Sequence, residues 1–245
     1  YNPDGFAQQL EYRIIEPLSV FGNFAQIVLD EDSGDNRDQW MFGYQLGAKT
    51  KWGEQTKWDF GMALYDLDNE RVGTFSQNAT QEGNTRFPGS SVSTVTAFFT
   101  MLHLNTEVKT RVYNIPVSLQ ADYVNNLAEN GQDFVDSRRV IGSSGTEKVG
   151  YQIGLIVGKA SAAKSWEAAY FYKHLETNAT LADIADSDFG DGGTNRKGHI
   201  FWFAYSPRDY VQLKAKVFVT EVLRTDLAPG MDHINRAQFD VSVKF

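Results

Sequence analysis

From Gln238 to Phe245 the chain alternates strictly. Phe239, Val241, Val243 and Phe245 fall on one face, and Gln238, Asp240, Ser242 and Lys244 fall on the other. A period of two is that of a β-strand with one apolar and one polar face. Tyr210–Val219 repeats the pattern, with Val211, Leu213, Ala215, Val217 and Val219 opposed to Gln212, Lys214 and Lys216. In the stretch 102–112, Leu102, Leu104, Thr106 and Val108 oppose His103, Asn105, Glu107, Lys109 and Arg111. Further strands are expected over Phe6–Ile14, Pro17–Leu29, Trp40–Lys51, Thr56–Val72, Pro116–Asn126, Val149–Ala160, Ser165–Glu176 and Gly198–Ser206, eleven in all. Nothing reads as a long amphipathic helix, and Leu181–Ala185 reads as a helical turn inside a loop.

The connections alternate in length. Ile14–Pro17, Trp52–Gln55, Tyr113–Ile115, Ser161–Lys164 and Pro207–Asp209 are short, while Asp30–Gln39, Gly73–Ser91, Leu127–Lys148, Thr177–Lys197 and Leu223–Ile234 are long and polar. Strands running up and down in turn place the short turns at one rim and the long loops at the other. That asymmetry belongs to outer-membrane barrels, whose periplasmic turns are short. The expected fold is therefore all-β, an antiparallel up-and-down transmembrane β-barrel in a single domain over residues 1–245. Such barrels are normally even-stranded, with twelve strands the nearest complete count. Eleven strands would leave Phe6–Ile14 and the last strand parallel, so a missed strand or membership of a larger barrel is expected.

An internal duplication supports this register. Gly43-Tyr44-Gln45-Leu46-Gly47 recurs as Gly150-Tyr151-Gln152-Ile153-Gly154, and Trp58 and Trp166 each open the next strand. The copies align Trp58, Phe60, Met62 and Leu64 with Trp166, Ala168, Tyr170 and Tyr172, expected to face lipid. Asp59 and Glu167 then take matching inward positions near the short-turn rim, with Tyr65 and Lys173 inward and higher up.

Composition narrows the class. Lys plus Arg number 23 against 31 Asp plus Glu, a net charge of −8, which disfavours nucleic-acid binding. There is no Cys, hence no disulfide framework and no thiolate site. No apolar run is long enough for a membrane-spanning helix, but barrel strands conceal their apolar half in alternation. A soluble sandwich would fill its inner positions with Val, Leu and Ile. Here many polar-face positions are small or charged, as at Ser118, Gln120, Asp122, Gln152 and Gly154. Trp and Tyr also gather at strand ends, as at Trp40, Trp58, Trp166, Tyr205 and Tyr210, where a membrane girdle would lie.

Ser165-Trp166-Glu167-Ala168-Ala169-Tyr170-Phe171-Tyr172, followed by Asp186-Ser187-Asp188-Phe189-Gly190-Asp191-Gly192-Gly193-Thr194-Asn195-Arg196-Lys197-Gly198-His199, resembles the "putative porin" family of Gram-negative outer membranes. Pro116–Asn126 is similar to a second stretch of that family. The resemblance implies an integral outer-membrane channel for passive diffusion of small hydrophilic solutes or ions, with no cofactor and no reaction. It also implies outer-membrane lipids and lipopolysaccharide as surroundings, and leaves an oligomer open. Phe245, with apolar residues at alternate positions before it, looks like the signal read by the barrel-assembly machinery. A non-conducting structural or adhesion barrel with partner-binding outer loops is the alternative.

The candidate pore-lining residues are the inward charges. Lys109, Arg111, Lys214, Lys216 and Lys244 are basic, and Glu107, Asp122, Asp59, Glu167 and Asp240 are acidic. Opposed charges across a wet lumen set a transverse field that tunes ion selectivity. Lys214, Lys216 and Lys244 would form a basic stripe on one wall. Asp183, Asp186, Asp188 and Asp191 invite a calcium reading, but Gly190 breaks EF-hand spacing. A solvated outer loop is the favoured reading there, with a constriction loop folded into the lumen as the third. His103, His174, His199 and His233 are scattered, so no metal site and no catalytic residue is assigned.

Overall fold

The computed structural model describes residues 4–30, 38–68, 83–84, 98–128, 147–225 and 232–244. These form one sheet of eleven strands: β1 (Asp4–Ile15), β2 (Leu18–Asp30), β3 (Gln39–Trp52), β4 (Thr56–Asp68), β5 (Thr100–Val112), β6 (Ile115–Asn126), β7 (Val149–Gly158), β8 (Ser165–Leu175), β9 (Arg196–Arg208), β10 (Val211–Val222) and β11 (His233–Val243). The spatial order is the sequence order. Every neighbouring pair is antiparallel, as an up-and-down meander requires. Among the described residues β1 and β11 do not pair, so the sheet is not closed.

The expected eleven strands are all present. Two bounds differ. β4 is described to Asp68, and the remainder of the expected Thr56–Val72 strand lies outside the described residues. β11 begins at His233, inside what the sequence suggested was loop. The apolar residue Ile234 and the polar residues His233 and Asn235 occupy the opposite faces from those the downstream alternation suggests, and pairing with β10 overrides the mismatch.

The faces follow the alternation. Along β4, Gly61, Ala63 and Leu67 are buried while Phe60, Met62 and Leu64 are exposed. Phe239 and Val241 at the last strand are likewise exposed. The short turns carry the conformations such hairpins need. Tyr113 and Asn114 both take positive φ in a two-residue turn, and Gly53 does so between β3 and β4.

The duplicated hairpins are not superimposable in register. Gly43 stands opposite Tyr65, whereas Gly150 stands opposite Leu175, two positions beyond the residue that matches Tyr65. An even shift keeps every side chain on its face, so the faces agree between the copies although the pairing does not. On the inner face an aromatic ring lies over a glycine in each copy. A Cβ at Gly47 would come 2.2 Å from the Phe21 ring, and one at Gly154 would come 2.1 Å from Phe171. Alanine at either position would displace the ring that covers it.

The sheet curls. Laid flat, β2 and β11 would be about 43 Å apart at the usual strand spacing. Yet Leu181 belongs to a buried cluster with Leu29 of β2, and Asp188, seven positions on, pairs with Arg236 of β11. Seven residues span at most about 25 Å. The strands therefore wrap around the β8–β9 segment, and the face they enclose is the one bearing the inward charges.

Candidate functional site: the enclosed face

The Thr177–Asn195 segment does not project as a solvated loop. Asn178, Phe189, Thr194 and Asn195 are fully buried, and Leu181 is 1% exposed. This corrects the favoured reading of the Asp-rich stretch. Its hydrophilic appearance hides two apolar anchors and a backbone whose groups are satisfied from other loops. Leu181 packs into the cluster of Leu29, Leu67, Phe99 and Met101, with Ile27, Met41, Tyr65, Val124 and Ile184 against it. Phe189 joins Ala169, Phe171, Ile200 and Phe218 on the inner face of β8 to β10. The expected helical turn is a single 3-10 turn, Ala182–Ile184.

Asparagines secure the long-loop end. Asn84 donates through Nδ2 to the carbonyls of Thr177 and Thr180 at 2.6 and 2.9 Å, and its Oδ1 accepts from the Ala182 N–H at 2.7 Å. Asn126 donates to the Phe98 and Asn178 carbonyls at 2.7 and 3.0 Å. Asn195 donates to the Arg224 carbonyl and accepts from the Arg224 N–H, at 2.9 and 2.7 Å. Arg196, fully buried, donates to the Gly190 and Asn195 carbonyls. On the far wall Arg236 donates to the Ser187 carbonyl and pairs with both Asp188 and Asp191. Two of the four aspartates thus bind an arginine. Among the described residues no group of three or more His, Asp or Glu could hold a metal.

By register, nine of the ten residues singled out from the sequence lie on the enclosed face, and Lys244, one residue past β11, continues its alternation. The structure brings some of them together. Glu107 binds Lys109 at 2.5 Å and accepts from Ser118 and Gln120 at 2.6 and 2.8 Å. Asp59 stands opposite Lys49 on one side and Glu107 on the other. Asp122 lies 3.5 Å from His103. Glu167 accepts from the Trp202 indole N–H at 2.8 Å. Lys214 sits over the Trp202 ring at 4.6 Å, and Lys216 over Phe218 at 4.3 Å. Arg111 faces Pro116, and Lys244 lines a hollow with Gln212 and Ser242 near the short turns. The stripe of Lys214, Lys216 and Lys244 is interrupted, because Asp240 stands directly opposite Lys214.

Several inner charges were not among the candidate pore-lining residues. Lys173, expected inward from the sequence, lies over Phe189 at 4.9 Å, and Asp186 of the inserted segment, Lys216 and Asp122 are near enough for their charges to act on it. Charges from β6, β8, β10 and the inserted segment thus meet in one region. Lys49, Lys51, Lys57 and Arg13 also face inward, near the short turns.

An up-and-down sheet with an apolar outer face, a polar enclosed face and a loop folded into the enclosure is the architecture of a porin-like outer-membrane barrel. The chain belongs to the family described as "Putative porin", whose model matches residues 1–99 and 73–245. No curated protein matches the sequence. Among solved structures it is similar to LpxR from Salmonella typhimurium, at 11% identity over 98% of this chain and 88% of that one, with a TM-score of 0.36.

Proposed function

We propose that the chain forms an outer-membrane β-barrel of a Gram-negative cell, a passive channel for small hydrophilic solutes or ions narrowed by the Thr177–Asn195 segment. One observation carries the reading. The segment is fixed inside the curl of the sheet, where it places Asp186, Asp188 and Asp191 against a wall bearing Lys173, Lys216 and Arg236. A narrow passage lined by paired charges orients solutes and selects them by size. The reading assigns no reaction and no cofactor. Outer-membrane lipids and lipopolysaccharide contact the exposed apolar rings in this reading, and the C-terminal residue engages the barrel-assembly machinery.

The second reading, a non-conducting barrel, draws on the apolar cluster around Leu181, which fills part of the enclosure. Conductance separates the two. Purified protein in planar bilayers should give discrete steps. Replacing residues 181–192 with a short Gly-Ser linker should enlarge them. Silence from both proteins, with folding confirmed by heat-dependent migration, would sink the channel reading.

A further inference from the structure

Three lysines stand in one row across three adjacent strands, at the short-turn end of the enclosed face. Lys51 on β3 is paired in register with Lys57 on β4, and Lys57 with Lys109 on β5. All three are exposed. Arg111, two residues from Lys109 toward the turn, continues the patch. Adjacent strands are about 4.8 Å apart, so the row is about 10 Å wide.

Like charges directly opposite each other destabilise a sheet. Nearby cations are matched. Lys49 binds Glu11 at 2.8 Å, Arg13 binds Glu16 at 2.9 Å and Lys109 binds Glu107 at 2.5 Å. Lys51 and Lys57 have no ion pair among the described residues. Two further carboxylates belong to the same hairpin, Asp59 one row deeper and Glu54 in the turn, and neither is bonded to these lysines. The opposition is also held in place. Trp52 and Trp58, next in sequence to Lys51 and Lys57 and on the other face, stack with centroids 5.9 Å apart. A hollow of about 670 Å³ opens beside Lys51 and Lys57; Lys49 and Arg13 also line it, with their partners Glu11 and Glu16 and with Asp59, so Lys51 and Lys57 are its cations without an ion partner among the described residues.

We propose that this row is a binding site for compact polyanions, specifically oligophosphates, at the short-turn mouth. It rests on the channel reading for a mouth filled with water. A bound polyanion relieves the repulsion between Lys51 and Lys57 that the sheet otherwise holds. Lysine ammoniums are compact point charges without the planar fork that selects carboxylates in two-point fashion. The site therefore ranks ligands by total charge and by reach along the row, tripolyphosphate above pyrophosphate above inorganic phosphate. Binding weakens as salt rises, because the row is exposed.

The experiment uses the full chain refolded in detergent, with tripolyphosphate, pyrophosphate and inorganic phosphate titrated by calorimetry. Saturable binding in that order is expected. K51Q/K57Q should weaken tripolyphosphate at least tenfold, while K51R/K57R and K164Q, the last at a different turn, should retain it. Heat-dependent migration confirms that each variant is folded. In planar bilayers, tripolyphosphate added on the short-turn side should block the wild-type current and not that of K51Q/K57Q. Absence of saturable binding, or equal binding by K51Q/K57Q, overturns the site. Binding lost in K51Q/K57Q from a protein that never conducts upholds the site and overturns the channel reading instead.

Discussion

Arginine at Met62 tests which face meets lipid. Met62 is the seventh of the thirteen residues of β4, outward and 45% exposed, between Leu46 and Leu104 in register. A strand of that length, tilted as barrel strands are, covers about 31 Å of membrane normal, so its centre lies near the middle of an apolar band about 25 Å tall. Arginine at the midplane of a barrel's lipid face costs about 2–4 kcal/mol. That corresponds to a folding equilibrium lowered about 30- to 800-fold. Tyr170 is the sixth of eleven residues in β8, outward and 42% exposed, and should behave alike. It should lose somewhat more, because its hydroxyl hydrogen-bonds His199 Nδ1 at 3.0 Å. The comparison must be an inner position open to water. Ala63 does not serve, since it is 1% exposed and an arginine there would fail by overpacking. Gln9, inward at the middle of β1 and exposed, does serve. The assay is reversible urea unfolding in lipid vesicles followed by tryptophan fluorescence. A Met62→Arg cost no larger than that of Gln9→Arg would refute the assignment of faces.

Two further outcomes are expected. Changing Lys214 and Lys216 to Glu should move the reversal potential in a salt gradient toward cations, and an unchanged potential in a conducting variant would place both lysines outside the ion path. Deleting Phe245 should lower the yield of heat-modifiable protein in cell membranes while leaving refolding from urea into vesicles intact; equal yields in cells would remove the terminal residue from the assembly signal.

The strands and their faces were legible because a two-residue period and strict antiparallel pairing leave little freedom. Once Trp58, Phe60, Met62 and Leu64 are outward, parity assigns the rest of the hairpin. The upper half of β11 was not legible. His233-Ile234-Asn235-Arg236 puts its one large apolar side chain inside, against the pattern below it. Burial of the Asp-rich segment was hidden for another reason. Its anchors Leu181 and Phe189 are eight residues apart with no period, and its hydrogen-bond partners Asn84 and Asn126, the latter at the end of β6, are distant in sequence. The lysine row could have been found. Lys51 and Lys57 are equidistant from Glu54, the middle of a three-residue turn, so simple hairpin folding already sets them opposite each other.

The net charge of −8 says little about the enclosed face, because charges at its two ends are used differently. Toward the long loops the cations are committed to structure. Arg236 binds Asp188 and Asp191, Arg224 binds Glu147 at 2.9 Å, Arg196 is spent on backbone carbonyls, and Lys173 lies against Phe189. Those aspartates, which contribute to the acidic surplus, hold the inserted segment against the wall. Toward the short turns the balance reverses, for Lys51 and Lys57 stand opposed with no ion partner among the described residues. Pairing near the inserted segment neutralises charge and leaves size and local dipoles to discriminate there. The excess of cations at the other mouth raises the local concentration of anions over about one Debye length, about 8 Å at physiological salt. In a channel built this way, sign selectivity is set at the short-turn mouth and size selectivity at the inserted segment, so substitutions at the two places should alter reversal potential and unitary conductance separately.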